Sequence, residues 1–271
     1  MLTDLFSYHF MVNALLAGTL VAVTASLIGW FMVVRRQTFA GHTLSLVAFP
    51  GAAAAALAGA PVFVGYFAAC ALGALVLSRA SAGTTRSLSD ENAAIGVVQA
   101  VALGCGFLFV GLYHGLLNSL NSMLFGTFLG ITDDQVWLLL GTTVVVLGVL
   151  GTVGRPLLFA SVDSDVARAS GVPVAGLATG FLLLLGLAVA ATSQITGALL
   201  VFALLVTPAA TAQALTERPA LSLALSVALA LAVTWGGLTI AYYSIYPVGF
   251  WVTSLSFGLY VLARIWRAAV R

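Results

Sequence analysis

Residues 11–36 read MVNALLAGTLVAVTASLIGWFMVVRR, and this stretch decides the fold class. Positions 11–34 carry no charge, and about 20 such residues are enough to cross the hydrocarbon core of a bilayer. Two arginines, Arg35 and Arg36, close the segment. An apolar run that ends in arginine predicts a transmembrane helix that finishes on the cytoplasmic side, by the positive-inside rule.

The same pattern recurs along all 271 residues. All ten basic residues are arginines in short clusters between apolar stretches, and lysine is absent. The chain is 62% hydrophobic and 7% charged, whereas about a quarter of a soluble domain is charged. These values predict an all-α polytopic membrane protein. The net charge of +2, spread over loops, argues against nucleic-acid binding.

Apolar runs divide the chain into nine candidate spans, near residues 11–34, 42–58, 62–78, 93–113, 135–154, 174–192, 196–215, 220–243 and 250–266. If every one crosses, all arginines lie on the cytoplasmic side, with the N-terminus outside and the C-terminus inside. Asp4, His9, residues 114–134, Ser193–Gln194 and Tyr246–Pro247 then lie outside. A re-entrant 42–58 segment would reduce the count to eight. We therefore expect eight or nine spans, some short, in one domain over 1–271.

An energy source within the chain is not evident from the sequence. A phosphate-binding P-loop requires a lysine, so the chain cannot hydrolyse a nucleotide in that way. Ion-driven carriers usually place charged residues within their spans, whereas all eight acidic residues here fall in predicted loops or at span edges. We therefore predict that the chain is not an enzyme. It is either a transport pathway that another subunit drives or a channel.

A segment that such a subunit could contact lies at residues 160–173. Asp163 is a predicted N-cap, Arg168 falls near the end of a helix of about two turns with Asp165 in its first turn, and Gly171 is the predicted stop. A short polar helix between two spans would lie along the inner membrane surface. The alternative is that it only links the spans.

Two further regions carry polar residues of interest. Thr207 and Pro208 predict a mid-span kink, and with Thr211 they place polar atoms where the span could border a pathway. On the outer side, His114 either receives an ion or is an interfacial residue. Asp133 and Asp134 follow Thr132 and are explained by helix capping, although they could also attract cations or touch a partner protein.

Five segments, in this order, resemble the permease subunits of bacterial ABC importers for zinc, manganese and related metals, the ABC-3 family. They are Arg35 to Gly51, Asp90 to Gly96, Leu124 to Gly126 with Leu129 and Gly130, Asp163 to Val172, and Leu204 to Ala212. The resemblance implies a second permease copy, cytoplasmic ABC ATPase subunits seated on the 160–173 segment, and an extracytoplasmic solute-binding protein. It also implies the bacterial cytoplasmic membrane, and a transported metal rather than a permanently bound cofactor.

The resemblance fails at one important place. The family typically reads Gly-Asp-x-x-x-His after its first span, which puts two metal ligands one helical turn apart, and this chain has His42 and Leu46 there. His42 is the remaining candidate ligand, with Ser45 and Leu46 beside the expected pathway; alternatively, it is a polar group satisfied by a carbonyl or water. Imidazole suits zinc, so zinc is the expected cargo. Manganese, iron, a chelated metal, or a scaffold without transport are the alternatives.

Overall fold

The computed structural model describes residues 8–81, 88–112, 126 and 130–270. Within these ranges the chain is helical, without strands, and its elements are α1 (His9–Val34), α2 (Thr38–Leu57), α3 (Val62–Ser81), α4 (Leu88–Leu112), α5 (Asp133–Val162), α6 (Ser164–Ala169), α7 (Val174–Leu215), α8 (Pro219–Tyr242) and α9 (Val248–Val270). Among the described residues, eight helices are long and apolar enough to cross a membrane, and Leu200–Leu215 is a shorter apolar segment. The predicted all-α polytopic fold with eight or nine spans is confirmed.

Helix α7 is bent back on itself. The ring of Phe181 lies 6.5 Å from that of Phe31, and the Gln213 side-chain amide donates to the Trp30 carbonyl at 3.2 Å. A straight helix would separate residues 181 and 213 by about 48 Å. Because both contact adjacent residues of α1, the chain must reverse between them, and Gly197 is the residue with non-helical angles (φ 74°, ψ 159°).

The bend bears on two expectations. The two segments predicted at 174–192 and 196–215 are present as the two arms of α7, but the reversal lies at Gly197 rather than at Ser193–Gln194, where Ser193 is fully buried and Gln194 is half-buried. The backbone also stays helical through Pro208, where the kink was predicted. The physical reason is that only glycine readily adopts a positive φ, so Gly197 makes the sharp turn, while neighbouring helices support the helix around Pro208.

Helix α5 is longer than predicted. The expected span ended at 154, which left Arg155 in a loop, yet the helix continues through Pro156 to Val162. Leu157 and Ala160 are buried, with exposed fractions of 1% and 7%. Packing of this last stretch outweighs the hydrogen bond that Pro156 cannot make. Arg155 therefore stands on a helix, and the expected 160–173 segment begins within the last turn of α5.

The arginines gather at one end of the bundle. Arg35 contacts Ser161 of α5 and Phe181 of α7, and Arg267 pairs with Glu217 at 3.5 Å. Eight of the ten arginines belong to the described residues, which do not include Arg86 and Arg271. All eight lie at or beside this end. His9 of α1 and Asp133 of α5 meet at the opposite end, at 3.8 Å.

Helix α7 occupies the centre, and α1, α2, α3, α5, α8 and α9 pack around it. Hydrogen bonds between side chains tie the helices together where water is excluded. Thr24 and Thr143 join α1 to α5 at 2.8 Å, and the Trp30 indole donates to Ser222 of α8 at 2.9 Å. Such polar contacts and close backbone approaches stabilise helix association in a bilayer.

Candidate functional site

His42 lies in the second turn of α2 and faces the part of α7 that follows the reversal at Gly197, residues 198–215, which we call the returning arm. Its ring is half-buried, with its centroid 4.6 Å from that of Phe202. The Nδ1 atom is buried and has no hydrogen-bond partner among the described residues. A buried polar atom without a partner costs free energy, so the described part of one chain leaves this nitrogen unsatisfied. Nothing in the sequence pattern indicated Phe202.

Ser45 and Leu46 lie one turn further along α2, and both are buried. The Ser45 hydroxyl donates to the His42 carbonyl at 2.7 Å, so it supports the local backbone. Leu46 is 8% exposed and offers no ligand atom. Among the described residues, no group of three His, Cys, Asp or Glu side chains gathers to hold a metal. The described part of one chain therefore brings a single imidazole, not a complete metal site.

The three α7 candidates lie beyond Phe202 toward the arginine-rich end. Thr211 is 2% exposed, and its hydroxyl donates to the Thr207 carbonyl at 2.7 Å. Pro208 is buried within the helix. The Thr211 hydroxyl thus forms its hydrogen bond with the backbone of its own helix. The contact of His42 with this arm is made through Phe202 instead.

The predicted short helix is present as α6. The Asp163 carboxylate accepts from the backbone N–H groups of Asp165 and Val166, at 3.1 and 2.9 Å. Arg168 pairs with Asp165 at 3.5 Å, and Gly171 has φ +85°. The Gly171 and Val172 N–H groups donate to the carbonyls of Arg168 and Ala167, the closing pattern of a left-handed C-terminal residue. The predicted cap and stop are confirmed.

One face of α6 packs against the bundle and the other is exposed. Ala167 is fully buried, whereas the Asp165 side chain is 89% exposed and that of Arg168 is 69% exposed. Val166 is also exposed. A short helix seated by one alanine, with a charged outer face, is suited to contact another protein.

Replacing Asp163 by alanine should loosen α6. The lost cap is worth about 1 kcal/mol, so the amides of 164–169 should exchange with solvent roughly fivefold faster. Millisecond hydrogen exchange with mass spectrometry measures this directly. Asp165→Ala is the matched control, because it removes an exposed carboxylate and leaves the cap. Equal acceleration in both variants would show that the cap does not hold the helix.

Arg35, at the end of α1, contacts α5 and α7. Its guanidinium donates to the Ser161 hydroxyl at 3.1 Å and to the Gln37 side-chain carbonyl, also at 3.1 Å. It lies 5.3 Å from the centre of the Phe181 ring. Burial lowers the pKa of Arg35, although an arginine remains charged at neutral pH. Ser161 precedes the Asp163 cap by two residues, so this contact joins the start of α6 to the turn that leads into α2.

Polar residues at the opposite end are explained in part by capping. Thr132 caps the start of α5, as the sequence predicted, and it forms a reciprocal capping box with Gln135. Asp133 also accepts from the Asn13 side chain at 2.7 Å, which ties α5 to α1. Asp134 lies in the same first turn. The prediction for His114 falls outside the described residues.

Comparisons with known proteins agree with this architecture. The model of the ABC 3 transport family matches residues 7–267. The chain is 33% identical over 233 residues to the manganese transport system membrane protein MntC of Halalkalibacterium halodurans, covering 86% of this chain and 77% of that protein. It is 29% identical over 238 residues to the chelated iron transport system membrane protein YfeC of Yersinia pestis, covering 88% and 80%.

A solved structure is similar throughout. PsaBC from Streptococcus pneumoniae in complex with Fab includes a chain that superimposes with a TM-score of 0.86 at 25% identity. The match covers 97% of this chain and 95% of that one. The helix arrangement described above is therefore shared, along nearly its whole length, with a solved structure.

Proposed function

This chain belongs to the ABC 3 transport family, and from that premise we propose that it is the permease subunit of an ATP-driven importer for a divalent transition metal. The observation that carries the proposal is α6, a capped helix with an exposed charged face at the arginine-rich end. Such a helix supplies a contact for a driving subunit, and a chain without lysine cannot form its own P-loop. Relatives named for manganese and chelated iron transport support a metal cargo.

The assembly follows from the two ends of the bundle. ABC ATPase subunits contact the α6 region through Asp163, Asp165, Arg168 and Gly171, within the 160–173 coupling segment. The arginine-rich end faces the cytoplasm by the positive-inside rule, which puts the N-terminus outside the cytoplasmic membrane and the C-terminus inside. A solute-binding protein then delivers the metal at the end that carries Asp133 and Asp134, with His114 nearby in sequence. The whole of 1–271 forms one permease domain.

The pathway runs beside α2 and the returning arm of α7, and a second permease copy completes it. His42 supplies an imidazole nitrogen there, since its Nδ1 lacks a protein partner. Ser45 and Leu46 border it on α2, as do Thr207, Pro208 and Thr211 on α7. The metal passes as cargo and is not a resident cofactor.

Zinc is the cargo that the side chains favour. No aspartate or glutamate in the described spans lies beyond the first turn of its helix, whereas His42 does. Neutral imidazole suits zinc, and manganese prefers oxygen ligands. The second candidate is manganese or iron, because the relatives above are named for those metals. Direct competition between zinc and manganese separates the two.

The test is radioactive zinc uptake in cells that lack their own high-affinity zinc importer and express this permease with its ATPase and binding protein. His42→Ala should lower uptake about fivefold, since one polar contact is worth roughly 1 kcal/mol. His9→Ala, at the exposed outer end, is the matched control. Unchanged uptake in His42→Ala would remove the ligand role of His42.

The same cells test the wider proposal. Manganese uptake without zinc uptake would assign the second cargo. Metal entry without the ATPase would make the chain a channel, and metal-independent ATP turnover without uptake would make it a scaffold. Each result contradicts the zinc importer in a different way.

A further inference from the structure

A groove of about 520 Å³ lies on the flank of the bundle between α1, α5 and α8. Its walls are mostly apolar and include Leu27, Leu147, Leu150, Leu158 and Leu223. Gly151 of α5 also lines the groove, and a Cβ atom there would have no atom within 4 Å. The open space therefore follows from a missing side chain.

Arg155 lines the same groove, one turn along α5 from Gly151. It is exposed and forms no hydrogen bond or ion pair with any described residue. No acidic residue is among the described residues that line the groove. An arginine near the end of a membrane-spanning helix extends to the headgroup region, so the unpaired Arg155 guanidinium is placed to meet an anionic headgroup.

The start of α8 adds positive character at the same place. Pro219, its first residue, lines the groove, and α8 has neither a side-chain cap nor an acidic residue in its first turn. Exposed N–H groups at the start of a helix favour a negative charge nearby. The Trp30 indole N–H already donates to the Ser222 hydroxyl, so it does not compete with Arg155 for an anion in the groove.

We propose that this groove binds one anionic phospholipid of the inner leaflet, with an acyl chain along the leucines and the phosphate at Arg155. The charge complementarity favours such a lipid over an apolar protein surface, which would bury Arg155 without a counter-charge. The groove also lies apart from His42, because α1, α5 and α8 line it whereas α2 packs mainly on α3, α4 and α7. A partner copy at His42 would leave this flank facing lipid. Basic pockets between helices on the cytoplasmic side are suited to anionic headgroups.

Native mass spectrometry of the full-length protein tests the headgroup. Phosphatidylglycerol and phosphatidylcholine with the same acyl chains are offered in equal amounts, and the protein should retain phosphatidylglycerol preferentially. Arg155→Gln should reduce this preference about fivefold, and Arg155→Lys should keep most of it. Arg79→Gln, an exposed arginine at the same end on α3, is the matched control and should change nothing.

A second variant tests the acyl-chain groove. A Cβ at Gly151 meets open space, so Gly151→Leu extends a side chain into the groove and should remove most of the bound phosphatidylglycerol while leaving the melting temperature in detergent unchanged. Gly148→Leu on the same helix also meets open space, lies outside the groove and should retain the lipid. Equal retention of both lipids by the unmutated protein would overturn the proposal. A changed oligomeric state in Gly151→Leu would overturn it too, because the groove would then be a protein interface.

Discussion

Gly29→Ala is expected to lower the free energy of unfolding by about 3 kcal/mol, at the upper end for an overpacked core. A Cβ atom at Gly29 would overlap the backbone carbonyl of Leu205, where α1 crosses the returning arm of α7. Neither backbone can give way as a flexible side chain would, so the two helices must separate. Their other contacts, including the Gln213 hydrogen bond to Trp30, would weaken with them.

The measurement is thermal unfolding of the detergent-purified protein, followed by size-exclusion chromatography. The melting temperature should fall by about 8 °C. Gly141→Ala on α5 is the matched control, since a Cβ there meets no atom within 4 Å and alanine favours the helix. If Gly29→Ala and Gly141→Ala have the same melting temperature, the close approach of α1 and α7 is not required for stability.

Arg35→Gln is expected to lower metal uptake about tenfold, by uncoupling ATP hydrolysis from transport. The change removes a charge-assisted hydrogen bond to Ser161 and the contact with Phe181, and a hydrogen bond to a charged group is worth about 1.5–3 kcal/mol. Ser161 lies just before α6, and Arg35 lies just before α2, which carries His42. Arg35 is thus placed as a positioning residue between the ATPase contact and the pathway.

The informative readout is the number of metal ions moved per ATP hydrolysed in proteoliposomes of the complete assembly. A purely structural role would lower both rates together, whereas lost transmission lowers the ratio. Arg36→Gln is the control, because Arg36 is exposed and adjacent. Arg35→Lys should restore part of the ratio through its charge. An unchanged ratio in Arg35→Gln would exclude the transmission role.

Several features could be predicted because they depend on local chemistry. The spans follow from apolar length, the α6 cap from the Asp163 side chain, and the α6 stop from the glycine at 171. Thr132 capped α5 for the same local reason. These signals act over a few residues, so reading along the chain is enough to find them.

Other features depend on what meets across the bundle. The reversal lies at Gly197 rather than at Ser193–Gln194, the chain stays helical through Pro208, and α5 continues past Arg155 because buried leucine and alanine follow it. His42 was a candidate from the sequence, but its unpartnered Nδ1 and its contact with Phe202 come from α7 folding back. Local propensity cannot report such partners.

The sequence by itself determined that this protein lies in a membrane and in what order its spans follow, because hydropathy and arginine placement act along the chain. It also determined the capped helix between two spans. Only the tertiary structure decided which residues share a surface: Arg35 with Ser161, His42 with Phe202, and Arg155 with an apolar groove. The reason is physical, since residues far apart in sequence meet only when the helices pack.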